Sequence, residues 1–74
     1  MIIATMYSET MIWKAIGNDE AEAKTAILTE WNQRQKHMSE IGYKKPHYYS
    51  TTHDLDEIYG IEIDEIEPGH CIVY

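Results

Sequence analysis

Residues 19–42, DEAEAKTAILTEWNQRQKHMSEIG, carry the clearest pattern in the chain and predict one long α-helix. Asp19 and Glu22 have the spacing of a capping box, in which two side chains satisfy backbone N–H groups at a helix start. Apolar side chains recur at intervals of three, four or seven residues, which is the repeat of one helix face. The residues of this face are Ala23, Ala26, Ile27, Trp31, Met38 and Ile41. The helix is expected to begin near residue 19 and to end before Gly42, because glycine is favoured just beyond a last turn.

Runs of β-branched and aromatic residues on both sides of this helix predict an antiparallel sheet. Residues 2–7 and 11–16 are expected to pair as a hairpin. Residues 61–64 alternate apolar and acidic side chains, as a half-buried strand does, and a phase shift at residues 64–65 predicts a bulge or bend. After a Pro-Gly turn, the apolar residues 70–74 predict a further strand beside residues 61–64.

A connector and a short second helix are predicted between the long helix and the third strand. Residues 43–52 are expected to form the connector, because Pro46 disfavours a helical conformation of the residue before it. Thr51 or Thr52 is suited to cap the short helix, and Gly60 is suited to end it. The apolar face of this helix would consist of Leu55, Ile58 and Tyr59.

Together these elements predict an α+β fold, in the order β-β-α-α-β-β. A small antiparallel sheet of about four strands in two hairpins would pack on one long α-helix, with the short second helix beside it. The chain of 74 residues is long enough for one domain, residues 1–74. Trp31 is expected to be buried between helix and sheet, with Ile3 or Thr5 and Ile63 as its neighbours.

The net charge of −7 is concentrated in the second part of the chain. Residues 1–45 contain six basic and six acidic residues, whereas residues 46–74 contain seven acidic residues and no Lys or Arg. This distribution argues against direct binding of nucleic acid, which depends on cations that meet phosphates. It favours a basic protein surface as the partner, a divalent cation, or a merely solvated acidic face.

The seven acidic residues form the predicted partner-binding surface. They are Asp54, Asp56, Glu57, Glu62, Asp64, Glu65 and Glu67. If carboxylates mimic the negative surface of nucleic acid, they should lie on one contiguous face and bind the basic surface of a nucleic-acid-binding protein or nuclease. The binding should weaken steeply with salt. Edge-protecting charges on a solvated strand are the alternative interpretation.

The sequence supports neither a catalytic site nor a cofactor. Cys71 is the only cysteine, so a disulfide within the chain is excluded, and a free thiol is typical of the reducing cytoplasm. The histidines and Cys71 lie in none of the spacings of known zinc motifs. No apolar run approaches the roughly 20 residues that cross a bilayer. We therefore expect a cytoplasmic protein that is not an enzyme, without a metal or cofactor and without a membrane partner.

Two further features leave alternatives open. Arg34 falls within the apolar stripe of the long helix, so it either extends to the edge of the stripe and pairs with Glu30 or marks a contact with a partner. Residues 43–49 mix cations with aromatic rings. They are interpreted as a connector whose tyrosines pack on the domain or form the rim of a contact surface.

In size and acidity the chain resembles the inhibitors that phages and mobile elements direct against host nucleases and CRISPR effectors. This resemblance assigns no role to an individual residue, but it implies a small regulator or inhibitor that binds a basic protein. The first alternative is a homo-oligomeric accessory protein, such as a homodimer formed through the sheet or its edge, because one helix covers only one sheet face. A divalent-metal-binding or enzymatic protein is the third class.

Overall fold

Three antiparallel strands and two helices form the fold in this computed structural model, which describes residues 1–9, 11–42 and 45–66. The elements, in chain order, are β1 (Ile2–Tyr7), β2 (Ile12–Gly17), α1 (Glu20–Glu40), α2 (Thr52–Tyr59) and β3 (Ile61–Glu65). The predicted α+β class and the first five elements of the predicted order are confirmed. The sixth, a fourth strand at residues 70–74, lies outside the described residues.

The sheet has the order β2-β1-β3, with β1 in the centre. Both neighbours of β1 are antiparallel to it. The pairing with β3 is regular from Ile2 opposite Glu65 to Met6 opposite Ile61, and the Ile66 amide donates to the Met1 carbonyl at 2.7 Å. The predicted bulge at residues 64–65 is therefore wrong. Glu65 occupies a position on the inner face but is exposed at the end of the strand, so the ladder needs no extra residue.

The core lies between α1 and one face of the sheet. Ala4 and Met6 of β1 are fully buried there, beside Ala23 and Ile27 of α1, and Leu55 of α2 closes one side. Side chains alternate between the faces of a strand. Because even-numbered residues of β1 point into the core, its odd-numbered residues belong to the opposite, outer face.

Trp31 is buried as predicted, with 7% of its surface exposed. Ile3 and Thr5 are not its neighbours, because they lie on the outer face of the sheet, and this part of the prediction is wrong. The Trp31 ring instead contacts Trp13, with ring centroids 5.4 Å apart, and Tyr59 at 5.1 Å. Ile63 packs against the core from β3, on the side that was predicted.

Side-chain caps set the start of both helices. Asp19 Oδ1 accepts a hydrogen bond from the Glu22 amide at 2.8 Å, and Glu22 Oε1 accepts one from the Asn18 amide at 3.2 Å. The capping box is thus present, although its return bond reaches one residue before the cap. Thr51 caps α2 through the Asp54 amide, and Gly60 ends α2 with φ +76°. A positive φ of this kind favours glycine.

Candidate functional site

Asp56 is an acidic residue of the predicted surface that holds elements of the fold together. Its Oδ1 accepts a hydrogen bond from the Ile61 amide at 2.6 Å, across the turn from α2 to β3. Its Oδ2 accepts a bond from Lys24 Nζ of α1 at 3.4 Å. The bond from the Ile61 amide, followed by the charge of Lys24, lowers the pKa of this carboxyl below its ordinary value of 3.8. Asp56 therefore fixes α2 against α1 and β3.

The other two acidic residues of α2 are exposed. Glu57 Oε1 lies 3.2 Å from His53 Nε2 one helical turn earlier, an ion pair when the imidazole is protonated. Asp54 lies in the first turn of α2, where the helix dipole favours a negative charge, and Ser50 Oγ donates to it over 3.5 Å. Both carboxylates thus remain at the surface of the helix.

The acidic residues of β3 divide between the two faces of the strand. Ile61 and Ile63 pack against the core, so Glu62 and Asp64 lie on the outer face of the sheet. Glu65 occupies an inner position but is exposed. Glu67 lies outside the described residues. Carboxylates therefore flank β3 on both sides of the sheet.

The predicted surface is thus not one flat face. The acidic residues of α2 lie on the helical side of the sheet, whereas Glu62 and Asp64 lie on the opposite side, with β3 between the two groups. We call the exposed set the acidic rim. It consists of Asp54, Glu57, Glu62, Asp64 and Glu65.

A cavity of about 260 Å³ lies between β2, α1 and the connector. No pattern in the sequence predicts this cavity, because its wall combines residues from distant parts of the chain. Its aromatic lining comes from Trp13, Trp31 and Tyr59. Polar and basic groups are contributed by Arg34, Lys45 and His47. We call this site the aromatic cavity.

Side chains of α1 hold the connector in place as one wall of the cavity. Asn32 makes two hydrogen bonds with the backbone of Tyr49: its Nδ2 donates to the carbonyl at 2.9 Å and its Oδ1 accepts from the amide at 3.1 Å. Gln35, which is 4% exposed, accepts a bond from the His47 amide, and Trp31 Nε1 donates to the His47 carbonyl at 2.9 Å. Tyr49 also packs edge-on against Trp31. Tyr49 thus packs on the domain, which agrees with the first of the two interpretations of the connector tyrosines.

Arg34 forms the ion pair that its position suggested, with Nε 3.5 Å from Glu30 Oε1. Its guanidinium carbon also lies 5.4 Å from the centre of the Trp13 ring, which is within cation–π range. A guanidinium has five N–H donors, and this ion pair is longer than the roughly 2.7–2.9 Å of a charge-assisted hydrogen bond. With respect to residues 1–9, 11–42 and 45–66, Arg34 therefore keeps donors available at the aromatic cavity.

Three further findings bear on function. Among residues 1–9, 11–42 and 45–66, no three His, Cys, Asp or Glu side chains are grouped as a metal site requires. In the same part of the chain, no helix is long and apolar enough to span a membrane. Comparison of the chain with protein-family models, curated proteins and solved structures gives no significant match.

Proposed function

We propose that this protein is a small acidic interaction module, a regulator or inhibitor that binds a basic protein through the acidic rim. The observation that carries the proposal is the charge distribution. Five exposed carboxylates lie between residues 54 and 65, and residues 46–74 contain no Lys or Arg. A surface of one charge sign attracts a partner of the opposite sign and accelerates its association.

The fixed position of α2 favours binding by this surface. Asp56 joins α2 to Lys24 of α1 and to the first residue of β3. The backbone positions that carry the rim carboxylates on α2 and β3 are therefore held relative to one another before the partner arrives, which lowers the entropy cost of binding.

The partner class follows from the chemistry of the rim. Nucleases and other nucleic-acid-binding proteins group Lys and Arg side chains to meet phosphates. Carboxylates along both sides of β3 would occupy such a basic groove in place of a nucleic acid. The protein would then block the groove by mimicry.

Affinity capture from a lysate of the source organism tests this function. Three baits are compared: the unmodified protein, a Glu57→Gln/Glu62→Gln variant of the rim, and a Glu30→Gln/Glu40→Gln control that removes two charges from α1. We expect the unmodified protein and the control to retain a basic protein that moderate salt releases. The rim variant should retain clearly less of it.

Equal capture by the rim variant and the control would contradict the proposal, as would a captured protein that is acidic or that salt does not release. Melting curves of all three baits establish that each variant is folded. The captured protein is identified by mass spectrometry, and a nucleic-acid competitor should displace the bait if mimicry is correct.

Self-association is a second candidate, favoured by an exposed apolar group on the outer sheet face. Ile12 and Ile16 of β2 are 62% and 59% exposed, and Tyr7 of β1 is 47% exposed. In the described part of the chain β2 is an edge strand, and exposed edges invite pairing with another chain. This arrangement would suit a homodimer formed through the sheet.

Sedimentation equilibrium from about 10 to about 300 µM tests self-association, since mass action favours the dimer at high concentration. An Ile12→Lys/Ile16→Lys variant should remain a monomer throughout. An Ile41→Lys/Ile58→Lys control, which alters equally exposed isoleucines elsewhere, should dimerise like the unmodified protein. A monomer at every concentration would exclude the homodimer.

A further inference from the structure

We propose that the aromatic cavity binds a small aromatic carboxylate, with its ring against the lining residues Trp13, Trp31 and Tyr59 and the carboxylate on Arg34. This site is separate from the acidic rim, because none of the described residues that line it belongs to the rim, although Tyr59 at the end of α2 contributes to its wall. The cavity is also expected to prefer an anion, whereas the acidic rim is expected to bind a positively charged surface. The inference therefore does not depend on the proposed partner.

The lining favours a ring. Trp13 and Trp31 are tilted by 45° to each other with centroids 5.4 Å apart, and Tyr59 is tilted by 46° to Trp31. Aromatic rings prefer tilted or edge-to-face neighbours at such distances, so a planar ring entering the cavity would find further contacts of the same kind. Met11 and Met38 also line the cavity and adapt readily to a ring edge.

The volume suits a ligand that consists of a single ring with a short side arm. About 260 Å³ is below the roughly 300–1,000 Å³ of sites for drug-sized ligands. A dinucleotide or a second folded domain would not fit. A phenyl ring with one or two further carbons and a carboxylate is of suitable size.

The charge of the lining favours an anion. Arg34 and Lys45 are the basic residues of the wall, and Glu9 is the acidic one. Arg34 is the better placed cation, because the Trp13 contact holds its guanidinium beside the aromatic wall. A guanidinium binds a carboxylate through two parallel hydrogen bonds, and few other groups combine this geometry with a permanent charge.

The ordering of the wall further favours a binding site. Trp13 Nε1 donates to Ser8 Oγ at 3.0 Å, and Trp31 Nε1 donates to the His47 carbonyl at 2.9 Å. Both indoles are therefore fixed in orientation before a ligand arrives. A pre-formed wall of this kind reduces the cost of ordering side chains on binding.

Titration with phenylacetate tests the inference, because the chain has only two tryptophans and both line the cavity. Binding is followed by tryptophan fluorescence and by the two indole N–H signals in ¹H–¹⁵N spectra. We expect saturable binding with a Kd on the order of 1 mM, which is ordinary for so small a ligand. Phenylacetamide, which lacks the charge, should bind about tenfold more weakly or not at all, and acetate, which lacks the ring, should not saturate.

Matched variants locate the carboxylate. Arg34→Gln should weaken phenylacetate binding about tenfold, whereas Lys36→Gln, which removes one exposed charge from the same helix, should leave it unchanged. Lys45→Gln, in the connector, provides a second cavity variant should Arg34→Gln melt early. Absence of saturation, equal binding of phenylacetamide, or equal effects of Arg34→Gln and Lys36→Gln would overturn the proposal.

Discussion

At the scale of single residues, Asp56 shows that acidic side chains of similar appearance in the sequence have different roles. It lies two residues from Asp54 and next to Glu57, yet it alone accepts a backbone hydrogen bond from β3 and one from Lys24. Lys24 also forms an ion pair with Glu20, with Nζ 3.1 Å from Glu20 Oε1. The hydrogen bond to Glu20 is the strongest of the interactions that raise the pKa of Lys24.

Asp56→Ala should lower the free energy of unfolding at pH 7 by about 1 kcal/mol, because the Ile61 amide loses its acceptor. This loss is at the lower end of the usual range for a backbone amide that loses its acceptor. The reason is that the Asp56 side chain is 35% exposed, so water replaces part of the interaction. Urea unfolding measures the difference. Glu57→Gln, which alters the neighbouring exposed carboxylate, should change stability by less than about 0.5 kcal/mol.

The stability difference caused by Asp56→Ala is expected to depend on pH. The pKa of Asp56 is lower in the folded protein than its ordinary value of 3.8. The contribution of Asp56 to the free energy of unfolding is therefore complete above about pH 5. It disappears as the pH falls through 3.8 and then through the lowered pKa. The difference between the unmodified protein and Asp56→Ala should shrink over this interval. A difference that stays constant down to about pH 2 would contradict the assignment.

Sequence reasoning could not separate Asp56 from the acidic rim. Asp54, Asp56 and Glu57 are carboxylates within one turn of α2, and the partners that distinguish Asp56 are supplied by α1 and β3. In contrast, Asp19 and Thr51 were identifiable as caps, because a helix cap acts on backbone groups only a few residues away.

At the scale of elements, the connector depends on amide side chains of α1. Asn32 forms hydrogen bonds with both the amide and the carbonyl of Tyr49, as a neighbouring strand would. Gln35 accepts a hydrogen bond from the His47 amide. This pairing gives residues 45–49 an ordered path without a helix or strand of their own. It also positions one wall of the aromatic cavity.

Asn32→Ala should cost about 1–3 kcal/mol of stability, because two backbone groups of Tyr49 lose their partners in a half-buried place. Hydrogen exchange should accelerate at the Tyr49 and His47 amides and change little in β1. Gln33→Ala, at the exposed position next along the helix, is the matched control and should leave both amides unaffected. Unchanged exchange in Asn32→Ala would show that the connector is held by other contacts.

The periodicity of apolar residues was sufficient to predict most helices and strands, but not the path of the connector. The apolar repeat located α1 and alternation located β3, because both patterns reflect a buried face. The predicted face of α1 was too wide, since Ala26 and Ile41 are exposed. The connector has no such repeat. Its order arises from side-chain to backbone hydrogen bonds with residues 12 to 17 positions earlier in the chain, which only the folded arrangement brings together.

At the scale of the whole molecule, the aromatic cluster around Trp31 joins the sheet, α1, the connector and α2. Trp13, Tyr49 and Tyr59 each contribute one ring to it. Trp31→Ala should cost about 3–5 kcal/mol, close to the full stability of a domain of this size. Tyr48→Ala, which alters an exposed ring of the connector, should cost less than about 0.5 kcal/mol. Thermal unfolding compares the two variants, and a nearly unchanged melting curve of Trp31→Ala would contradict this account of the core.

Burial of Trp31 was predictable from the helix stripe, whereas its neighbours were not. Which face of β1 points inward depends on the position of α1 relative to the strand, and either choice gives β1 several apolar inner residues. Met6 lies on the inner face with Ala4, whereas Thr5 lies on the opposite face, although it is also fully buried. The division of the acidic rim across β3 follows from the same choice of face.

Salt dependence of binding tests the role of the acidic rim most directly. The dissociation constant of the captured partner is measured by calorimetry from about 50 to about 500 mM NaCl, where screening of exposed charges becomes strong. We expect the unmodified protein and the Glu30→Gln/Glu40→Gln control to lose affinity about tenfold or more over this range. Glu57→Gln/Glu62→Gln should bind more weakly at low salt and depend less steeply on it. A dissociation constant that is independent of salt, or a dependence that is the same in both double variants, would contradict binding through the acidic rim.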